Sequence, residues 1–266
     1  MSDLQARTIA DFGEQWTEYP DSDGFFGSVD LFNDIFHPLL SAGDVGGKEV
    51  AEIGAGIGRF VNILAAAGAS RVVALEPSDA FRVLQEKTAA HRERITYLRL
   101  TGDRLPPSGD LDYVFVIGVL HHIPEPDPVV AASFNALKPG GKVAVWLYGR
   151  EGNSMYLLVV RTLWLLTRRL PHRLLEWLVT ALYPFFWCYM TACRRLPLPL
   201  AEYMRRVMIP LTPAKRRVVI YDQLNPAYAK YYTRREAHDV IARHGFVDVR
   251  LHHRHGYSWT VVGTRP

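Results

Sequence analysis

Residues 48–60, KEVAEIGAGIGRF, carry an apolar run into glycines at positions 54, 56 and 58 and then into a helix-forming pattern. A strand that meets a helix through such a loop presents backbone N–H groups with no intrahelical partner beside a helix N-terminus. Room is cleared there for a ligand. A tight structural turn explains the glycines as well, so the neighbouring residues have to choose.

The spacing separates two kinds of ligand. A dinucleotide loop reads G-x-G-x-x-G, with the third glycine set back for helix packing and a pyrophosphate on the helix N-terminus. Here the glycines read G-x-G-x-G, and Glu52 precedes them on the strand. A carboxylate in that place repels a pyrophosphate and attracts a ligand with positive charge. S-adenosyl-L-methionine (SAM), with its sulfonium and ammonium groups, is such a ligand. The stretch resembles the first motif, E/D-x-G-x-G-x-G, of the class I SAM-dependent methyltransferases.

Later stretches extend the resemblance. In ALEPSDAF, 74–81, Glu76 lies about two dozen residues past Glu52, where a carboxylate accepts ribose hydroxyls in dinucleotide and SAM sites alike. In LRLTGDRLP, 98–106, the resemblance implies that Asp103 accepts a hydrogen bond from the adenine amino group; a turn-forming Asp beside Gly102 is the plainer reading. LDYVFVIGVLHHIPEPDPVV, 111–130, and FNALKPGGKVAVWLYG, 134–149, are similar to the family's later motifs in order and spacing. The resemblance implies SAM as cofactor, S-adenosyl-L-homocysteine as product, and a cofactor site drawn from Glu52, Gly54, Ala55, Gly56, Gly58, Glu76, Pro77, Asp103, Arg104 and Gly118.

The wider pattern agrees. Short apolar runs predict strands near 48–53, 71–76, 95–100, 111–118 and 141–148, with helices near 28–42, 58–68, 78–91 and 127–137. Such a βαβ succession predicts an α/β fold with a parallel sheet covered on both faces and the ligand at the carboxyl ends of its strands. Thr233 and Glu236 form a capping-box signature for a helix over 233–244, and GFVDVRLHHRHGYSWTVVGTRP reads as two closing strands with a turn near His255 and Gly256. The family resemblance implies a Rossmann-like sheet of seven strands with an antiparallel last hairpin. We expect one methyltransferase domain: a SAM-binding core at 45–150 and 233–264, an N-terminal helical segment at 1–44, and a helical insertion at 151–232.

A sulfonium is already a strong electrophile, so the protein's main task is to align the nucleophile. A base is needed only for a hydroxyl or amine that must lose a proton. His122, leaving the fourth strand, is the candidate base, although the preferred reading is that His121 and His122 shape the loop or bond the backbone. Tyr148 at the end of the fifth strand is a second candidate, and His255, Tyr257 and Trp259 of the last hairpin carry less weight. No metal site is expected. Cys188 and Cys193 lie in an apolar run without His or Asp at ligand spacing and read as buried, inert thiols.

Charge divides the chain unevenly. Residues 1–150 hold 13 Lys and Arg against 20 Asp and Glu, and residues 151–266 hold 18 against 7. The start, MSDLQARTIADFGEQW, lacks the basic and apolar blocks of a signal peptide and predicts a cytoplasmic protein. Residues 177–193 contain no charge in 17 positions but are interrupted by Pro184, which argues for two kinked or separate helices forming a lid rather than a bilayer span. Three explanations fit this apolar insertion: a pocket for a lipophilic small-molecule acceptor, a membrane surface met by arginines, or a homodimer contact. The first and third together outrank the second. The aromatic segment 225–233, NPAYAKYYT, suits either O- or C-methylation. Arginines at 161, 168, 169, 173, 194, 195, 205, 206, 216 and 217 keep a nucleic-acid methyltransferase in view, but no RNA-binding module accompanies them. A SAM-fold protein that binds without catalysis is the third class.

Overall fold

The computed structural model describes residues 3–18, 27–167, 170–224 and 228–266. Two compact units emerge, one comprising 1–150 with 228–266 and the other 151–227.

The first unit is built on β1 (Glu49–Ile53), β2 (Arg71–Leu75), β3 (Ile95–Leu98), β4 (Leu111–Ile117), β5 (Leu137–Tyr148), β6 (Val247–Arg254) and β7 (Ser258–Thr264). They form a seven-stranded sheet in the order β3-β2-β1-β4-β5-β7-β6. The pairs from β3 to β5 are parallel and β7 is antiparallel to both neighbours. Strand order reverses between β1 and β4, so loops leave both strands on the same side and open a crevice at their carboxyl ends. Both central strands are buried along most of their length, as expected when helices cover both faces.

The helices of this unit are α1 (Asp3–Glu18), α2 (Val29–Phe36), α3 (Arg59–Ala66), α4 (Ala80–Lys87), α5 (Asp127–Ala136) and, after the second unit, α10 (Arg234–Ala242). Most follow the expected spans; three elements differ for local reasons. α2 stops at Phe36 because Pro38 drives His37 to extended backbone, and a 3₁₀ turn, Ala42–Val45, follows. α4 ends at Lys87 and gives way to a second 3₁₀ turn, Ala89–Arg94. β5 begins at Leu137, not 141, because the Pro-Gly-Gly segment is drawn into the ladder through a register shift between Leu111 and Tyr113. A Cβ at Gly141 would lie 2.8 Å from the Leu111 carbonyl oxygen, so only glycine fits that approach. The capping box forms: the Glu236 carboxylate accepts from the Thr233 N–H at 2.9 Å, and the Thr233 hydroxyl accepts from the Glu236 N–H at 3.2 Å.

The second unit holds α6 (Ser154–Thr167), α7 (His172–Cys193), a short α8 (Ala201–Tyr203) running into a π turn at Met204–Met208, and α9 (Pro213–Leu224). Pro184 does not divide α7, contrary to expectation. Thr180, whose carbonyl loses its hydrogen bond, is exposed, so water can serve it. Cys193 is buried, but Cys188 is exposed on the outer side of α7, which corrects the reading of two buried thiols. Arg168, Arg169 and residues 225–227 of the aromatic segment lie outside the described residues.

Candidate active site

The three glycines after β1 do different work. The N–H groups of Gly54 and Ala55 both donate to the Leu75 carbonyl, at 2.9 and 2.8 Å, which ties the loop to the end of β2. A Cβ on Gly54 would lie 2.4 Å from Val119, and one on Gly58 would meet Thr88 at 2.4 Å and Leu84 at 2.8 Å. Those two glycines admit the β4 loop and α4. Gly56 is different: the nearest atom to its absent Cβ is Trp16 Nε1 at 3.8 Å, and its φ is +55°. Space is cleared at Gly56 and filled by no neighbour.

Two carboxylates flank this space. Glu52, near the end of β1, is 2 % exposed, and its Oε2 has no hydrogen-bond partner among the described residues. Burial raises its pKa well above the ordinary carboxylate value, Arg59 opposes the rise, and Glu76 adds to it. Glu76 accepts the Gly56 N–H at 2.8 Å, the Ser78 N–H at 2.9 Å and the Ser78 hydroxyl at 2.5 Å. A carboxylate offers about four acceptor positions, so roughly one remains for a ligand unless Ser78 turns away. Pro77, between them, is half-buried.

Asp103 and Arg104 are exposed on a 3₁₀ turn after β3. That turn is held by Gly102, where a Cβ would lie 2.5 Å from Ile53, so Asp103 follows a backbone pressed against the last residue of β1. Gly118, with φ +77°, opens the loop after β4 next to Trp146.

At the ends of β4 and β5 the side chains are aromatic. His121 stacks on Tyr148 with ring centres 3.8 Å apart and meets Trp146 edge-on; His122 lies edge-on to Tyr148 and to Phe12 of α1, at 5.6 and 4.7 Å. Tyr231 completes the group 5.2 Å from Tyr148. Residues 228–232 are laced across both strand ends: Lys230 N–H donates to the His121 carbonyl, Tyr232 N–H to the Tyr148 carbonyl, and Arg150 N–H to the Tyr232 carbonyl.

The two histidines differ in what holds them. His122 Nδ1 is 2.7 Å from the Tyr228 carbonyl oxygen. A carbonyl only accepts, so Nδ1 carries the proton and the neutral ring keeps its lone pair on Nε2. Burial pushes its pKa down to about 4, against the pull of the Tyr228 carbonyl. His121 is fully buried, and burial followed by the neighbouring His122 drives its pKa well below the ordinary value. The Trp146 backbone opposes this without a hydrogen bond of proper geometry, since neither ring nitrogen has such a partner among the described residues.

In the last hairpin the candidate side chains have other partners, while Arg254 lies over the Trp146 ring at 5.9 Å. His255 bonds Asp34 at 2.7 Å, the Tyr257 hydroxyl accepts from Arg254 at 2.8 Å, and Trp259 stacks on His253 at 4.2 Å. Arg254 also pairs with Asp34. These residues lock β6 and its turn onto α2. Conversely, the sequence did not single out α1, whose Phe12 lies on His122, whose Gly13 abuts Ser78 and whose Trp16 borders Gly56. The helical period of 3–18 was the available signal. Among the described residues no group of three or more His, Cys, Asp or Glu side chains is arranged to hold a metal ion.

A methyltransferase-domain family model matches residues 51–143, the stretch that runs from the glycine loop through both histidines into β5. This chain carries a SAM-dependent methyltransferase domain. The methyltransferase is 27 % identical over 166 residues to the ubiquinone biosynthesis O-methyltransferase of Methylococcus capsulatus, a match that covers 61 % of this chain and 70 % of that one. It is 33 % identical over 116 residues to the tRNA U34 carboxymethyltransferase of Pseudoalteromonas translucida, over 42 % of this chain and 36 % of that protein. Its fold is shared with the magnesium protoporphyrin IX methyltransferase of Synechocystis PCC 6803, solved with S-adenosylhomocysteine bound, at a TM-score of 0.57 and 14 % identity over 99 % of this chain and all of that one.

The methyltransferase uses SAM, and its residues fit that molecule. The orphaned, buried Glu52 Oε2 suits an ammonium group, which would supply the missing donor and favour the ionised carboxylate. Beside it, the space at Gly56 would be filled by a Cβ with a positive φ.

Proposed function

We propose that this methyltransferase acts on a hydroxyl group of a small, lipophilic, aromatic acceptor, with His122 as the base. The observation that carries the reading is the hydrogen bond from His122 Nδ1–H to the Tyr228 carbonyl, because it fixes the lone pair on Nε2 in a ring that burial keeps neutral near pH 7. Loop shaping and base catalysis are then two aspects of one contact. The rings of Phe12, His121, Tyr148 and Tyr231 around it suit a flat apolar acceptor and exclude water. The names of relatives such as the Methylococcus capsulatus ubiquinone biosynthesis O-methyltransferase support oxygen as the acceptor atom.

When bound, SAM supplies a methyl group on a sulfonium with a neutral leaving group. The chain's own residues do the rest. We assign the ammonium to Glu52, the ribose to Glu76, the adenine to Asp103 with Arg104 nearby, and the close backbone approach to Gly54, Ala55, Gly56 and Gly118. Pro77 holds the Glu76–Ser78 turn, and Gly58 serves the packing of the loop. His122 Nε2 takes the acceptor's hydroxyl proton as the oxygen attacks, and Tyr148 orients the acceptor ring.

Labelled SAM incubated with phenols, catechols and a lipid-soluble extract of the native organism tests the substrate class by mass analysis of what gains a methyl group. His122→Asn keeps a donor for the Tyr228 carbonyl and removes the base. It should lower kcat roughly 10²-fold or more with SAM affinity unchanged. An unchanged kcat would remove the base and favour attack by a carbon nucleophile.

A further inference from the structure

The second unit exposes large apolar side chains that its own packing does not use. At about 100° per residue, Leu174, Trp177, Ala181, Leu182, Phe185 and Cys188 of α7 fall within a sector of about 140° and run about 21 Å along the helix. Trp177 is 76 % exposed, Phe185 74 % and Leu174 57 %. The buried residues of the helix, Leu175, Val179, Met190 and Cys193, lie on the other side. Its single carboxylate, Glu176, also lies away from the stripe. This arrangement leaves a continuous apolar face with no charge inside it.

Charge decides what such a face meets. Residues 151–227 carry 11 Lys and Arg against 4 Asp and Glu, a net of +7. Arg173 at one end of α7 and Arg194 and Arg195 at the other are exposed, with no carboxylate in salt-bridge range among the described residues. A second copy would set one +7 unit against another. An anionic bilayer surface instead offers an apolar interior to Trp177, Phe185 and Leu174 and negative headgroups to the terminal arginines. No helix of the described residues is long and apolar enough to cross a membrane.

We propose that the outward face of α7 lies in the interface of an anionic bilayer, with Leu174, Trp177, Leu182 and Phe185 among the upper acyl chains and Arg173 and Arg195, which flank the stripe at its two ends, on the headgroups. The inference stands apart from the reading of the acceptor, since it uses no residue of the cofactor or histidine sites.

The test is sedimentation of the full chain with phosphatidylcholine vesicles that contain or lack about one-third phosphatidylglycerol, with solution mass and SAM affinity measured in parallel. Binding should require the anionic lipid, weaken with salt, and blue-shift tryptophan fluorescence. Trp177→Ser with Phe185→Ser should weaken it tenfold or more, and Arg173→Glu with Arg195→Glu roughly fivefold or more per charge removed. All these side chains are exposed, so the variants should keep wild-type SAM affinity. Absence of vesicle binding, equal binding by the apolar variant, or a wild-type dimer that the apolar variant dissociates would overturn the proposal.

Discussion

Gly56 and Gly58 belong to one motif, yet alanine should affect them in opposite ways. At Gly58 the new Cβ would lie 2.4 Å from Thr88 and 2.8 Å from Leu84, both fully buried and without room to retreat, and φ is +83°. Overpacking costs about 1–3 kcal/mol and the left-handed backbone about 1–2 kcal/mol, a total of roughly 2–5 kcal/mol. At Gly56 the nearest atom is 3.8 Å away, so only the backbone cost applies. At roughly 2–4 °C per kcal/mol, Gly58→Ala should melt clearly below Gly56→Ala. Ligand response should reverse the order. SAM raises Tm in proportion to the logarithm of its saturation; Gly58→Ala should keep that rise, while Gly56→Ala, with a methyl group in the cleared space, should bind at least about tenfold more weakly and lose most of it. Thermal denaturation with and without SAM reads both quantities. A Gly56→Ala chain with the full SAM-induced rise, or one that melts below Gly58→Ala, would refute the division of roles.

Glu52 should release a proton when SAM binds, because an ammonium lowers a pKa that burial has raised; calorimetry in buffers of different ionisation enthalpy should detect it, and Glu52→Gln should abolish it. Glu76→Ala should cost about 1.5–3 kcal/mol of SAM binding and also lower Tm, since the loop and the Ser78 turn both hang on this carboxylate. Asp103→Ala, at an exposed position, should weaken SAM less and leave Tm unchanged; isothermal titration with melting curves tests the pair. His122 has a folded pKa of about 4 against 6.5, so the folded state resists protonation. Its stability contribution is full above pH 6.5 and falls by about 3 kcal/mol as pH drops through 6.5 towards 4; urea midpoints of His122→Asn should lose that part of the slope.

The sheet was legible because its central strands are buried on both faces and therefore appear as short, largely apolar runs ended by Gly, interrupted by Glu52 at 50–53 and by Asp112 at Leu111–Ile117. Glu52 and Glu76 were legible as carboxylates at strand ends, and Gly56 as the centre of the G-x-G-x-G turn. What escaped notice depends on contacts distant in sequence. Phe12 and Trp16 sit in a polar segment, and only folding brings them to His122 and Gly56. The group that orients His122 is a backbone carbonyl, on Tyr228, and every residue has one. His255 and Tyr257 looked like candidates until Asp34 and Arg254 were seen to engage them. The outward set of α7 was obscured because an apolar run in sequence does not say which of its faces is covered.

The most direct test of the site is a crystal structure of the chain with S-adenosylhomocysteine. The account predicts the ligand at the carboxyl ends of β1 and β4, with its ammonium on Glu52 Oε2, its ribose at Glu76 and its backbone passing over Gly56. A ligand bound elsewhere, or one that leaves Glu52 Oε2 without a partner, would contradict it.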